Sequence, residues 1–376
     1  MVLILEIARG VAALWVVLFH MEGLFDSFPE IFKAIIAQGH LGVPMFFVIS
    51  GFVITYSAES SLKAKRSPYF FLKNRLRRIY PTFWFSVLVC LSLPYIMALV
   101  STLKTGEFIT PPNPIEVYNL SEWFNFLILT KVFFADGANL HSQFKHINPV
   151  YWTIAIEIQF YLVVFIGLFF KQYYRLFVAA VALFAILMFV MPFDINHGLF
   201  IHFWLSFCVG IVLAYLFKYK LTLQHLIIYN RPIASSVGLI CVLILLCILV
   251  FELPINDLGF ALMFGVFLWL IAPLEQRLVK LKSKDNPLVK IPLKASLVLG
   301  AMSYSVYLLH FNLYRLSEMF VRQVLAEQHI LFGIACVIVT LVMCYPFYYV
   351  IERKFMSKHY NQLQKQTLKS NAITEK

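Results

Sequence analysis

Runs of about 20 apolar residues recur along almost the whole chain, and no other feature restricts its fold so severely. They fall near residues 3–24, 37–57, 80–102, 151–170, 175–192, 199–217, 232–251, 257–273, 296–315 and 330–351. An apolar helix of about 20 residues crosses the roughly 30 Å hydrocarbon layer of a membrane. In that layer every backbone polar group must be satisfied within the segment, which helices achieve and open sheets do not. The predicted fold class is therefore all-α: a polytopic membrane protein built as a bundle of about ten transmembrane helices. Only 13% of the 376 residues are charged, about half the share of a soluble domain. That deficit is too widely spread for a soluble protein with one anchor.

The loop charges orient the bundle. With the N-terminus inside and ten spans, 24 of the 31 Lys and Arg fall in inside loops and six in outside segments. This asymmetry predicts that both termini are cytoplasmic. A shorter apolar segment, Trp123 to Ala135, carries Lys131 and lies in the long loop 103–149. Counting it as a span breaks the charge pattern, so an interfacial or re-entrant helix is expected there. The net charge of +12 is the footprint of topology and of anionic lipid, not of nucleic acid, because the cations cluster in loops between apolar runs. All six cysteines lie inside apolar runs without metal-ligand spacing and read as small packing residues; no metal site is expected. The first run carries Glu6 and Arg9 and lacks a small-residue cleavage site, so it reads as a permanent helix. One transmembrane domain is expected over 1–352, followed by a polar, basic, disordered cytoplasmic tail over 353–376.

Polar residues within the runs are the candidates for chemistry, since ionisable groups in a span are costly and usually functional. Arg9 and His20 are eleven residues apart, which places them on one face and roughly 16 Å apart along the axis. Gly42 to Phe52 puts Gly42, Pro44, Ser50 and Gly51 in one span, where small residues permit close helix approach. Arg75 and Arg78 sit three apart at the start of the third span, and guanidinium forks suit phosphate. Trp152 opens a span that carries Glu157 and Tyr161, with Glu157 at a depth similar to that of His20. A carboxylate beside a histidine fixes its tautomer, the base-plus-orienter arrangement of acyl transfer. Ser303, Tyr304, Tyr307 and His310 form a polar stripe in the ninth run at helical spacing.

These five segments, in this order, resemble the acyltransferase-3 family of integral-membrane acyltransferases, which modify bacterial surface sugars. The matching residues are Arg9 and His20, Gly42 to Phe52, Arg75 to Pro81, Trp152 to Tyr161 and Ser303 to His310. Where the family often has Trp-Ser-Leu and Glu-Glu-Gln, this chain has Trp152-Thr153-Ile154 and Glu157-Ile158-Gln159, leaving a single carboxylate there. Some relatives carry an added hydrolase-like domain after the last helix, which is not expected here.

The resemblance implies an O-acyltransferase of the bacterial inner membrane. It would move an acetyl or other acyl group from cytoplasmic acetyl-CoA to a hydroxyl of a surface or lipid-linked carbohydrate such as a lipopolysaccharide. His20 and Glu157 would be catalytic, and Arg9, Arg75 and Arg78 would bind acyl-CoA. Ser50, Trp152, Tyr161, Ser303, Tyr307 and His310 would line the cavity. A transporter or flippase for a lipid-linked sugar or an anionic solute uses the same residue types. The chain shows no inverted repeat and no pair of matching broken helices, which weighs against a carrier.

Overall fold

The structure is a computed structural model that describes residues 2–111, 113–135, 139–191, 196–219, 256–282, 287–327 and 331–356. Long helices dominate it. The first group is α1 (Val2–His20), α2 (Glu30–Ala37), α3 (Gly42–Lys63), α4 (Pro68–Thr105) and α5 (Leu120–Leu127). Then come α6 (Trp152–Phe169), α7 (Tyr174–Val190) and α8 (Ile201–Lys218). The last group is α9 (Asp257–Ile271), α10 (Leu274–Lys282), α11 (Pro287–Ala301), α12 (Ser303–Val321) and α13 (Phe332–Phe347). A π-helical turn over Tyr348–Glu352 extends α13 into the short α14 (Arg353–Phe355). Among the described residues seven helices are long and apolar enough to cross a membrane, or nine if each of two bent pairs counts as one span. The protein is thus an all-α polytopic membrane protein. The expected span at 232–251 lies outside the described residues.

Local sequence explains where these helices start and stop. Pro68 occupies the first turn of α4, where its missing N–H is no loss, and Gly106 closes the helix in a left-handed conformation. Asn119 caps α5 and exchanges bonds with Glu122 in a reciprocal capping box. At eight residues α5 is too short to span, so Trp123–Ala135 does not add a crossing. Lys131 is buried there, 3.7 Å above the Tyr118 ring and 3.5 Å from Glu122. The Asn119 amide and Lys131 together hold the Glu122 carboxyl below the ordinary carboxylate range.

The ninth apolar run departs from expectation. It is not one continuous helix over 296–315. Lys290–Ala301 and Ser303–Val321 meet at a bend of 76°. The apolar pattern runs through this bend unbroken: one side of α11 lies on α1 near Gly10 and Gly300, and α12 packs against α13 and α4. Likewise α9 and α10 meet at 63°.

The helices nearest the centre touch backbone to backbone. A Cβ on Gly51 of α3 would run into the Phe207 carbonyl of α8, and one on Gly210 of α8 into the Val48 carbonyl of α3. Glycine is what allows this crossing. Gly210→Val is expected to destabilise the bundle by about 1–3 kcal/mol through overpacking. Gly23→Ala, whose added Cβ meets nothing within 4 Å, should leave the melting temperature of the purified protein unchanged. Equal melting temperatures for both variants would refute a close α3–α8 crossing.

Candidate active site

A narrow cavity of about 90 Å³ opens between α1, α3, α4, α6 and α12. Arg9 reaches it from α1, Ser50 from α3, and Arg75 and Arg78 from α4. Glu157 and Tyr161 project from α6, and Ser303, Tyr304 and Tyr307 from α12. Helical periodicity explains the convergence. Arg75 and Arg78 are one turn apart, as are Glu157 and Tyr161, so each pair points the same way.

Glu157 is the hub. Its Oε1 accepts hydrogen bonds from the Ser50 hydroxyl and the Tyr161 hydroxyl, both at 2.6 Å. The same carboxylate interacts electrostatically with Arg75 and Arg78. The Arg75 guanidinium lies 5.6 Å from the Phe71 ring centre and 5.8 Å from that of Tyr161, within reach of both rings.

A second carboxylate, Glu352, was not among the sequence candidates. It is 3% exposed and accepts from both the Ser305 hydroxyl at 2.5 Å and the Ser305 amide at 3.1 Å. It thereby caps the α12 N-terminus at the bend, where an anion is favoured. Arg9 and Arg78 both feel its charge, and Arg78 also feels that of Glu6. The signal for Glu352 was present as Ile351-Glu352-Arg353, but it falls at the end of the last apolar run, where a charged residue reads as the start of a loop. The π-helical turn supplies the extra residue that rotates Glu352 inward.

Six charges therefore meet in this region: Arg9, Arg75 and Arg78 against Glu6, Glu157 and Glu352. Only Glu157 among the acids lines the cavity, while all three arginines do. The counter-charge of Glu6 and Glu352 stands behind the wall. The bundle is near neutral here, yet the cavity surface is cationic. Ser303 adds a further polar group: its hydroxyl is fully buried, lines the cavity and has no hydrogen-bond partner among the described residues.

The histidines lie elsewhere from where depth alone suggested. The expected couple of His20 with Glu157 does not form. His20 Nδ1 is 3.3 Å from His310 Nε2 and 2.9 Å from the Val16 carbonyl. His310 is 1% exposed, and its Nδ1 faces the carbonyls of Val306 and Tyr307, both at 3.0 Å. Two carbonyl acceptors require the proton on His310 Nδ1, so His310 Nε2 is an acceptor. His20 Nδ1 then faces two acceptors and must carry the proton itself, which places the His20 lone pair on Nε2. His310 thus takes the orienting part that sequence reasoning gave to Glu157. A similar depth along two helices does not fix the angle around either axis.

Two residues expected to line the cavity do not. Trp152 is buried against Phe203, with ring centres 5.4 Å apart, and His310 is occupied with His20. Tyr307 joins the two regions. It lines the cavity, bonds Thr153 at 2.6 Å, and its ring centre is 6.0 Å from that of His310.

With this geometry in view the comparisons can be read. The acyltransferase-3 family model, described as an acyltransferase domain, matches residues 2–349. The chain belongs to the acyltransferase-3 family. A Staphylococcus aureus (strain COL) protein that carries an O-acetyltransferase name is 27% identical over 335 residues, covering 81% of this chain and 49% of that protein. The O-acetyltransferase OatA of Staphylococcus aureus (strain NCTC 8325 / PS 47) is 28% identical over 160 residues, covering 41% of this chain and 22% of its own length. Protein 2 in the picA locus of Rhizobium radiobacter is 38% identical over 82 residues, 22% of this chain and 39% of that protein. The chain spans about half the length of the staphylococcal relatives that cover most of it. No solved structure matches it.

Removing Glu352 strips buried counter-charge from Arg9 and Arg78. Glu352→Ala should cost about 3–5 kcal/mol, the usual result of orphaning a buried charge, and Glu352→Gln less, because the amide keeps an acceptor for Ser305. Thermal unfolding in nanodiscs measures both. A Glu352→Ala protein as stable as the parent would show that this carboxylate balances nothing.

Proposed function

We propose that the protein is a membrane O-acyltransferase that moves an acetyl or related acyl group from acyl-CoA to a carbohydrate hydroxyl. The observation that carries this reading is the cationic cavity in an apolar bundle, adjoined through Tyr307 by a histidine pair whose tautomers are set. Family membership supports the acyl chemistry, and the names of the staphylococcal relatives support oxygen as the acceptor atom. The cell is bacterial, the membrane is its inner membrane, and the α1 N-terminal end of the bundle faces the cytoplasm, in accord with the loop charges.

The residues divide the work as follows. The thioester enters the cavity between α3, α4 and α6. The acceptor hydroxyl binds at the outer end beside His20. Its oxygen attacks the thioester carbonyl carbon while His20 Nε2 takes the proton. The tetrahedral intermediate collapses, the C–S bond breaks, and the imidazolium returns the proton to the departing CoA sulfur. The products are the O-acyl sugar and free CoA, so atoms and charge balance. His310 fixes the orientation of His20. The cationic wall and the Ser303 hydroxyl lie roughly two to three turns from the histidine pair, so they draw the donor into the path rather than touch the reacting carbonyl. Glu157 holds Arg75 and Arg78 in place.

Purified protein in nanodiscs, given acetyl-CoA and a carbohydrate acceptor, is expected to release free thiol only when both are present. His20→Ala should lower that rate about 10²–10⁴-fold, the usual contribution of a positioned base, without changing the melting temperature. Acceptor movement across the membrane without thiol release would make the protein a carrier. A fully active His20→Ala enzyme would remove the base from this mechanism.

A further inference from the structure

A second, larger hollow lies at the end of the bundle where α3 finishes and α4 begins, and its chemistry is absorbed by nothing above. Its volume is about 760 Å³. Its walls carry Lys65 and Arg66 from the α3–α4 connection, Lys171 and Gln172 from the α6–α7 connection and Arg175 from the first turn of α7, with Glu59 as its acid. Glu59 is already committed. It bonds Arg175 at 3.1 Å and Tyr215 at 2.7 Å, and it pairs with Lys218 as well. Arg175 is also held by the Tyr219 hydroxyl at 2.5 Å, so this corner is rigid. Among the described residues Lys65, Arg66 and Lys171 have no acidic partner, and all three are exposed to the hollow.

The backbone adds an independent observation. Lys65 has φ 50° and Lys171 has φ 47°, both in the left-handed region. Each follows the end of a helix, α3 and α6 respectively, where glycine is the unstrained choice. In both places the chain adopts this conformation with a lysine and presents an ammonium group to the same hollow.

The hollow lies farther along helices that also line the active-site cavity, with the buried side chains of Ala58, Phe71 and Val164 between the two. The same three helices frame both. On α3 the walls pass from Ile54 to Leu62, on α4 from Arg75 to Pro68, and on α6 from Tyr161 to Leu168. Seven or eight residues of helix amount to roughly 10–12 Å. A ligand with phosphates at one end and a reactive group on a long slender arm would fit this pair of spaces. Arg75 and Arg78, in contrast, are turned inward onto Glu157 and Tyr161, and are poorly placed to meet a nucleotide arriving from solution.

We propose that this hollow is the nucleotide end of the donor site. Lys65, Arg66 and Lys171 bind the phosphate groups of the CoA nucleotide, and the pantetheine arm runs between α3, α4 and α6 to deliver the thioester to the cavity. The proposal rests on the acyl-CoA reading and adds to it the residues that recognise the donor. It reassigns phosphate recognition from the two inner arginines to the two connections.

The test uses full-length protein in phosphatidylcholine nanodiscs, which lack anionic lipid. A triple variant, Lys65→Gly with Arg66→Gln and Lys171→Gly, removes three charges while relieving backbone strain, so it should fold. Calorimetry is expected to show acetyl-CoA binding at least tenfold weaker than in the parent. Turnover of saturating S-acetyl-pantetheine, which has no nucleotide, should stay within twofold. Unchanged acetyl-CoA affinity in the variant, beside normal parental turnover, would overturn the hollow as donor site and leave the acyltransferase reading standing. Equal loss with both donors would also overturn it, as damage to the bundle. If the variant loses only retention of added phosphatidylglycerol, the hollow holds lipid headgroups and the proposal fails. A parent protein that neither binds acetyl-CoA nor releases thiol would overturn the proposed function itself.

Discussion

The structure depends on one electrostatic requirement: three arginines inside an apolar bundle must be balanced by carboxylates that cannot be drawn from water. A single arginine at the centre of a span costs about 2.5–3.5 kcal/mol even on the lenient insertion scale. Here the charges come from three different helices and the turn after a fourth. Arg9 and Glu6 are on α1, Arg75 and Arg78 on α4, Glu157 on α6 and Glu352 just after α13. Electrostatics therefore ties the first, middle and last parts of the chain to one point. The two carboxylates set behind the cavity wall neutralise the protein without neutralising the space a ligand would enter.

Around this point the apolar packing is permissive and the polar contacts are specific. Apolar helices gain little from one another in lipid, so close crossings such as Gly51 on Gly210 and directed bonds such as Ser50 to Glu157 decide which helices meet. These two contacts come from adjacent residues of α3. One faces α8 and the other α6, so the position of Ser50 in the site is set by the backbone contact next to it.

Much of this was legible in the sequence because it is periodic. The helices α1, α3, α4, α6, α7, α8, α9 and α13 coincide with apolar runs, and the cavity-facing set of Arg9, Ser50, Arg75, Arg78, Glu157, Tyr161, Ser303 and Tyr307 falls on motif residues. What was not legible is angular or irregular. The bend between Ala301 and Ser303 interrupts a run whose hydrophobicity does not change. The π-helical turn rotates Glu352 inward by an amount no 3.6-residue period predicts. His20 meets His310 while Glu157 meets Ser50 and Tyr161, a pairing set by the angles around the helix axes.

The bend before Ser303 has an effect of its own. A continuous span would leave its positive helix terminus near the headgroups, where water and counter-ions screen it. The broken one brings the start of a 19-residue helix to the cavity wall, adding roughly half an elementary charge of fixed dipole in a medium that screens poorly. Glu352 quenches part of it. Because that dipole belongs to the main chain, no side-chain substitution can delete it, and sequence drift at Ser303 or Tyr304 would leave a floor of positive potential beneath any anion resting there.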